Sequence, residues 1–424
     1  MAGDPSQMFA ARTVLLALLV TVGSGLLHFA RPVDSATWYR SGLPGGVEYS
    51  WNPDSPAFAR IVVRFPEEFV LTPGGRARIL RPLYVAPGWI LYNVAGPIIR
   101  PALPGPLVRK VRATMARANH PENWIGIDPE DLTVAWICLV GVNVLILVLS
   151  LILVYSALSV LFGSALSAAL TATAATQVDF VRYVFVPHTE PFNILIPALF
   201  LFALVRRWMA GSTDGASALA LGIAQLGKPI AFPAANWVVE PLRRFGSPGW
   251  KQSVKYLGLI AAPALVYVTT LIVLGLPPYS PEVSEHNQVV WMLDYIRQGD
   301  VFGLVGHFAG NLGKHLGQAA YVFIAPIGTV AALYLFRGMG GVSRRLEMSE
   351  AIRFHAALYF VIGVLFWSSV GLMSARLTSV YYPLVILILG GLAHRLAVHP
   401  VRWVSAAIAG NVVLLISGGY SLMP

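Results

Sequence analysis

Charge is scarce in this chain. Only 12% of its 424 residues are Asp, Glu, Lys or Arg, where a soluble domain carries about a quarter. With 56% hydrophobic residues and a mean hydropathy of +0.67, that scarcity excludes an ordinary soluble domain and reads as an integral membrane protein. Cysteine is scarcer still. Cys138 is the only one and lies inside an apolar run, which excludes an internal disulfide and any cysteine-based metal site. The chain also lacks an internal repeat, a low-complexity tail and any segment resembling a nucleic-acid module. Its net charge of +10 has another home, because excess Lys and Arg in a polytopic protein gathers in cytoplasmic loops and at the anionic lipid surface.

What the sequence does have is a series of apolar runs, most of them near the roughly twenty residues a helix needs to cross a bilayer core. The first covers residues 9–29 and reads as an uncleaved span, since no small-residue cleavage pattern follows it. Residues 30–131 are polar and rich in Pro, Gly, Arg and acids. Within them, residues 83–99 are apolar but broken by Pro and Gly, and barely long enough to span. Residues 107–118 (LVRKVRATMARA) form a basic amphipathic pattern suited to the headgroup layer.

Residues 132–176 hold no charge at all, a length that suits two spans with a turn within residues 155–163. A span over residues 191–205 follows. Residues 216–237 are apolar but broken at Gly227-Lys228-Pro229 and at Pro233, which suggests a discontinuous or re-entrant element. Further spans are predicted over residues 256–276, 317–336, 354–373, 380–392 and 403–420. Between the first two of these, residues 277–316 read as a loop containing Trp291 and an interfacial helix over 289–297. The expected fold is therefore all-α and polytopic, one membrane domain over residues 1–424 with about nine to eleven transmembrane or re-entrant helices. Its long first extracytoplasmic loop would carry interfacial helices.

Short basic loops set the orientation. Arg206–Arg207, then Arg243–Arg244 with Lys251 and Lys255, then Arg337 with Arg344–Arg345, and Arg395 with Arg402 all fall on the cytoplasmic side if the N-terminus is inside. Residues 30–131, the patch from Asp179 to Glu190, the 277–316 loop and Arg376 then fall outside. The cost is that Arg109, Lys110, Arg112 and Arg117 lie outside too, in a long loop where the rule is weak.

This sidedness gathers the chemistry-bearing residues on one face. Residues 51–84 carry Asp54, followed by Arg76, Arg78 and by Arg81 in the run Arg81-Pro82-Leu83-Tyr84. His188 and Glu190 follow, and Arg376 lies in SARLTSVYYP. A carboxylate there could act as general base and the arginines could clamp a phosphate. Each residue has a plainer reading: Asp54 as a turn former, the arginines as headgroup anchors, His188 as an interfacial histidine. Arg376 could simply snorkel. Charges beside or inside apolar runs, Arg376 and Lys228, carry the stronger functional signal.

The order of these features resembles the GT-C superfamily of integral-membrane glycosyltransferases. The resemblance lies in a first span with an acidic residue soon after it, and in the Arg-Pro-Leu-Tyr entry to residues 83–99. It continues in YVFVPHTEPFNILIPALFLFALVRR (183–207), ALALGIAQLGKPIAFP (218–233) and SARLTSVYYPLVILILGGL (374–392). Phe58 stands where the family often has Tyr. The resemblance implies an inverting transferase that moves a sugar from a polyprenyl-phosphate donor to an acceptor hydroxyl of a glycan, lipid or protein. The reaction would run on the extracytoplasmic face of a bacterial inner (plasma) membrane. Asp54 would be the base. Arg81, Arg376 and Lys228 would stabilise the departing phosphate, while Tyr84, His188 and Glu190 would line the substrate groove. No redox cofactor or structural metal is implied, though Asp54 and Glu190 leave room for a loosely held divalent ion. The rival readings are a transporter or flippase for a lipid-linked or anionic substrate, which the broken helix at Lys228 also suits, and a non-catalytic subunit of a cell-envelope assembly.

Overall fold

The computed structural model describes residues 54–68, 81–109, 126–175, 187–209, 215–228, 249–278, 289–337, 350–371 and 375–395, with residues 239 and 246. The predicted spans over 9–29 and 403–420, and Arg76 and Arg78, lie outside the described residues. Among those described, the regular structure is helical throughout. The elements that matter here are α1 (Asp54–Val63), α2 (Pro82–Ile99), α3 (Pro129–Phe162), α4 (Ser164–Ala175), α5 (Phe192–Met209) and α6 (Gly215–Ala224). They continue with α7 (Trp250–Val273), α8 (Val290–Gln298), α9 (Val301–Arg337), α10 (Glu350–Val370), the 3-10 segment Ala375–Tyr381 and α11 (Tyr382–Arg395). Pro129–Phe162, Trp250–Val273, Ile352–Val370 and Leu377–His394 are long and apolar enough to cross a membrane. Outward-facing apolar side chains such as Leu145 and Ile152 on α3 and Leu265 and Val266 on α7 are what lipid-facing surfaces carry.

The chain is built around α3. Asp128 precedes it and accepts a hydrogen bond from the Glu130 amide, capping a helix whose first turn holds Pro129, Glu130 and Asp131. That placement satisfies a free amide and complements the helix dipole. The 34 residues of α3 extend about 51 Å at 1.5 Å per residue. The helix stops at Gly163, whose φ of 78° is a conformation glycine adopts without strain. The chain then enters α4, which packs back on α3. The predicted reversal near 155–163 therefore sits at the end of that window.

Helix α2 runs antiparallel to α3. Near one end, Tyr92 donates to Asp131 at 3.0 Å and Arg100 pairs with the same carboxylate. Further along, Gly96 lies against Val134 and Gly88 against Leu139, and at the other end Tyr84 lies beside Asn143. The stretch of barely spanning length is thus laid lengthwise on the longest helix of the bundle. Ile90, Val94 and Ile98 face outward from it.

Helix α9 corrects the reading of residues 277–316 as a loop with one interfacial helix. Helix α8 is present, but residues 301–316 are helical too and continue without a break into the predicted span. The segment lies between two apolar runs and has glycines and polar side chains, yet two buried side chains near its end tie it to its neighbours. The Asn311 amide donates to Ser368 O at 3.3 Å, and His315 shares a 3.0 Å hydrogen bond with Tyr381. These contacts fix α9 to α10 and to the 3-10 segment.

Helices α6 and α7 touch at their backbones. A Cβ on Gly222 would fall 2.3 Å from the Ile260 carbonyl oxygen, and backbone cannot step aside as a flexible side chain can. Gly222→Ala is therefore expected to destabilise the protein by about 1–3 kcal/mol through overpacking. The check is the thermal unfolding midpoint of detergent-solubilised protein, and an unchanged midpoint would mean that this contact is looser than described.

Candidate functional site

The site forms where the ends of several helices meet. Helix α2 opens with Pro82 at its first position, where a missing N–H costs nothing and the fixed φ suits a helix. Arg81 precedes it. The turn His188-Thr189-Glu190-Pro191 leads into α5, with the Phe192 and Asn193 amides donating to the Thr189 and Glu190 carbonyls at 3.1 and 2.8 Å. Helix α6 ends at Ala224 and turns through Gln225–Gly227 to Lys228. Its ten residues reach about 15 Å, too short to cross a bilayer core. The tip of α6 is tied to the head of α2 by the Leu83 amide, which donates to Leu226 O at 3.2 Å.

Charge concentrates at this junction. Lys228 Nζ donates to Glu190 Oε2 at 2.9 Å, and His188 Nδ1 lies 3.5 Å from Glu190 Oε1. Asn193 Nδ2 donates to Glu190 Oε2 as well. Both Glu190 and His188 are 3% exposed, and the Lys228 side chain is 12% exposed. Helix ends favour this arrangement: a carboxylate precedes the N-terminus of α5, and an ammonium follows the C-terminus of α6.

Aromatic rings wall the junction. Phe58 of α1 meets Tyr84 edge-on at 5.0 Å and His188 at 6.1 Å. Tyr84 meets Phe192 at 6.5 Å. The Arg81 guanidinium sits over Phe58 at 5.9 Å, within cation–π range. The Tyr84 hydroxyl is fully buried and closes no hydrogen bond of good geometry, with the Asn143 side chain and the His188 backbone beside it. At Gly227 a Cβ would fall 2.1 Å from the Phe192 ring, so glycine is what lets Lys228 approach so closely.

Of the residues singled out in the sequence, Arg81, Tyr84, His188, Glu190 and Lys228 come together here. Asp54 opens α1, one helical turn before Phe58 and so on the same face. Arg376 is the second residue of the 3-10 segment, which packs against α5. The side chains of these two lie outside the described residues. Asn143 and Asn193 are not singled out by the sequence, and Phe58 is noted there only as the aromatic that follows Asp54. Asn193 had a signal in its spacing, three residues after Glu190 at a helix start. Asn143, one amide in a long apolar run, had little.

Arg60 and Arg64 do other work. Both pair with Glu68, at 2.7 and 3.2 Å, and Arg64 also donates to Gly126 O at 2.6 Å. They frame the loop beyond α1.

Cations and amides already occupy much of the carboxylate at the junction. Glu190 Oε2 already accepts from the Lys228 ammonium and the Asn193 amide, and a divalent ion would have to displace a cation at close range. No group of three His, Cys, Asp or Glu side chains suited to a metal occurs among the described residues. The arrangement sets a lysine and a carboxylate at one point, with a histidine, an amide and aromatic rings around them. Comparison with protein-family models, with curated proteins and with solved structures finds no match to this chain.

Proposed function

We propose that the protein is a membrane glycosyltransferase of the GT-C type, transferring a sugar from a polyprenyl-phosphate donor to an acceptor hydroxyl at the extracytoplasmic face. The observation that carries the reading is convergence. Four stretches far apart in sequence meet at one junction: α1 through Phe58, one turn after Asp54, the Arg81–Tyr84 entry to α2, His188–Glu190, and Lys228.

In this reaction the acceptor oxygen attacks the anomeric carbon as the bond from that carbon to the phosphate oxygen breaks. The configuration inverts. Asp54 takes the hydroxyl proton, and the phosphate leaves with the bonding electron pair. Lys228, Arg81 and Arg376 stabilise the charge that grows on it. Tyr84, His188 and Glu190 line the groove, and the lipid tail stays in the bilayer. The test is turnover by purified protein in lipid nanodiscs, given a panel of polyprenyl-phosphate sugars with lipid and glycan acceptors. A glycosylated product with inverted anomeric configuration supports the reading, and no product across the panel counts against it.

A second reading has its own observation. A half-length helix leading to a half-buried lysine opposite another helix start is how carriers build substrate sites. The same donors sealed in vesicles separate the two, because a carrier would move the lipid-linked sugar across the bilayer and leave its glycosidic bond intact.

A further inference from the structure

Resting on that reading for the identity of the ligand, we propose that Glu190 is a built-in anion holding Lys228 until the prenyl phosphate, the monoester left when the sugar is transferred, takes its place. The carboxylate thereby sets how tightly the site holds the departing phosphate. Three observations carry this. First, the pair is unequally enclosed: Glu190 is sealed at 3% exposure while Lys228 keeps 12%, so an arriving anion meets the ammonium first.

Second, Glu190 has a second place to go. Asn193 Nδ2 donates to the same oxygen that Lys228 holds, and His188 Nδ1 faces the other oxygen at 3.5 Å. These groups lower the cost of parting the buried pair but do not remove it, so the arriving phosphate must offset the rest through its own contacts with Lys228.

Third, a hydroxyl donor is already in place. Thr189, fully buried in the turn between His188 and Glu190, has a hydroxyl that closes no hydrogen bond. A phosphate taking the carboxylate's place before the N-terminus of α5 could accept from it. Two anions cannot share one ammonium at full strength, so carboxylate and phosphate compete.

The experiment measures binding to the full chain in nanodiscs by equilibrium dialysis. The probes are a radiolabelled short-chain prenyl phosphate, inorganic phosphate, and the matching prenyl alcohol. Glu190→Gln is expected to tighten prenyl phosphate binding by about fivefold or more, a usual size for coupling between sites. Asn193→Leu, which removes the carboxylate's alternative partner, is expected to weaken it by a similar factor. A folded Glu190→Gln protein that binds no tighter than wild type overturns the proposal. If that variant does not fold, Asn193→Leu decides, and unchanged or tighter binding overturns it.

A parallel shift for inorganic phosphate means the site reads the phosphate itself; a shift for prenyl phosphate alone means the lipid tail delivers it. Both support competition, whereas equal binding of the alcohol overturns it. Sugar transfer without these shifts sinks only the competition. The shifts without any sugar transfer sink only the enzymatic reading.

Discussion

Asp54→Asn is expected to lower sugar transfer by about 10²–10⁴-fold, the range lost with a general base, while leaving the protein folded. The substitution separates chemistry from structure because of where the residue lies. Asp54 opens α1, and an acid there is worth about 0.3–1 kcal/mol through the helix dipole. Asparagine keeps the shape and polarity, so the unfolding midpoint should scarcely move. A base acts on the proton in the transition state, so kcat should fall with the KM for the lipid donor near its wild-type value. The measurement is the initial rate of labelled sugar transfer beside a thermal unfolding curve. Full transfer by the asparagine variant would reduce Asp54 to a helix-starting residue and remove the base from the mechanism.

Much of the frame was legible because lipid imposes a coarse rule. The charge-free run at 132–176 reads as two spans with a turn, and the structure turns at Gly163; among the described residues, however, only the first of the two helices, Pro129–Phe162, is long and apolar enough to cross a membrane, and Ser164–Ala175 is shorter. Gly227-Lys228-Pro229 was read as a break, and α6 ends just before it. His188, Glu190 and Lys228 stand out one by one because charge and polarity are conspicuous against apolar helix, whereas Tyr84 comes only with the Arg-Pro-Leu-Tyr run of the resemblance.

Their partners did not stand out. Phe58 joins Tyr84 and His188 because α1 and α2 both pack on α3; in sequence it is noted only as the aromatic after Asp54, with no partner to point to. The antiparallel seat of α2 depends on Gly88 and Gly96 facing α3, and in sequence those glycines read as breaks. Residues 301–316 failed for the same reason. Glycine spacing and a few polar groups suggest a loop, whereas Asn311 and His315 are bonded to the neighbouring elements. Local composition reports what a segment prefers alone, and these segments take their form from what they are packed on.

The ion pair at the junction should also be the most sensitive point for stability. Lys228→Met is expected to destabilise the protein by about 3–5 kcal/mol, the cost of taking one partner from a buried pair. The reason is the state of what remains. Glu190 is 3% exposed, and the substitution removes its ammonium at 2.9 Å, leaving a carboxylate to the Asn193 amide and the His188 ring. The methionine fills similar space, so the loss is electrostatic rather than a cavity.

Adding Glu190→Gln to Lys228→Met should restore most of the stability, because the amide no longer carries charge into the apolar junction. A double-mutant cycle on unfolding midpoints reads the coupling directly. If the two losses simply add, the Lys228–Glu190 contact is incidental, and the tip of α6 must be held by Leu83 and the Phe192 ring instead. Strong coupling means that the two helix ends are joined mainly by charge, and the junction would then loosen when another anion claims the lysine.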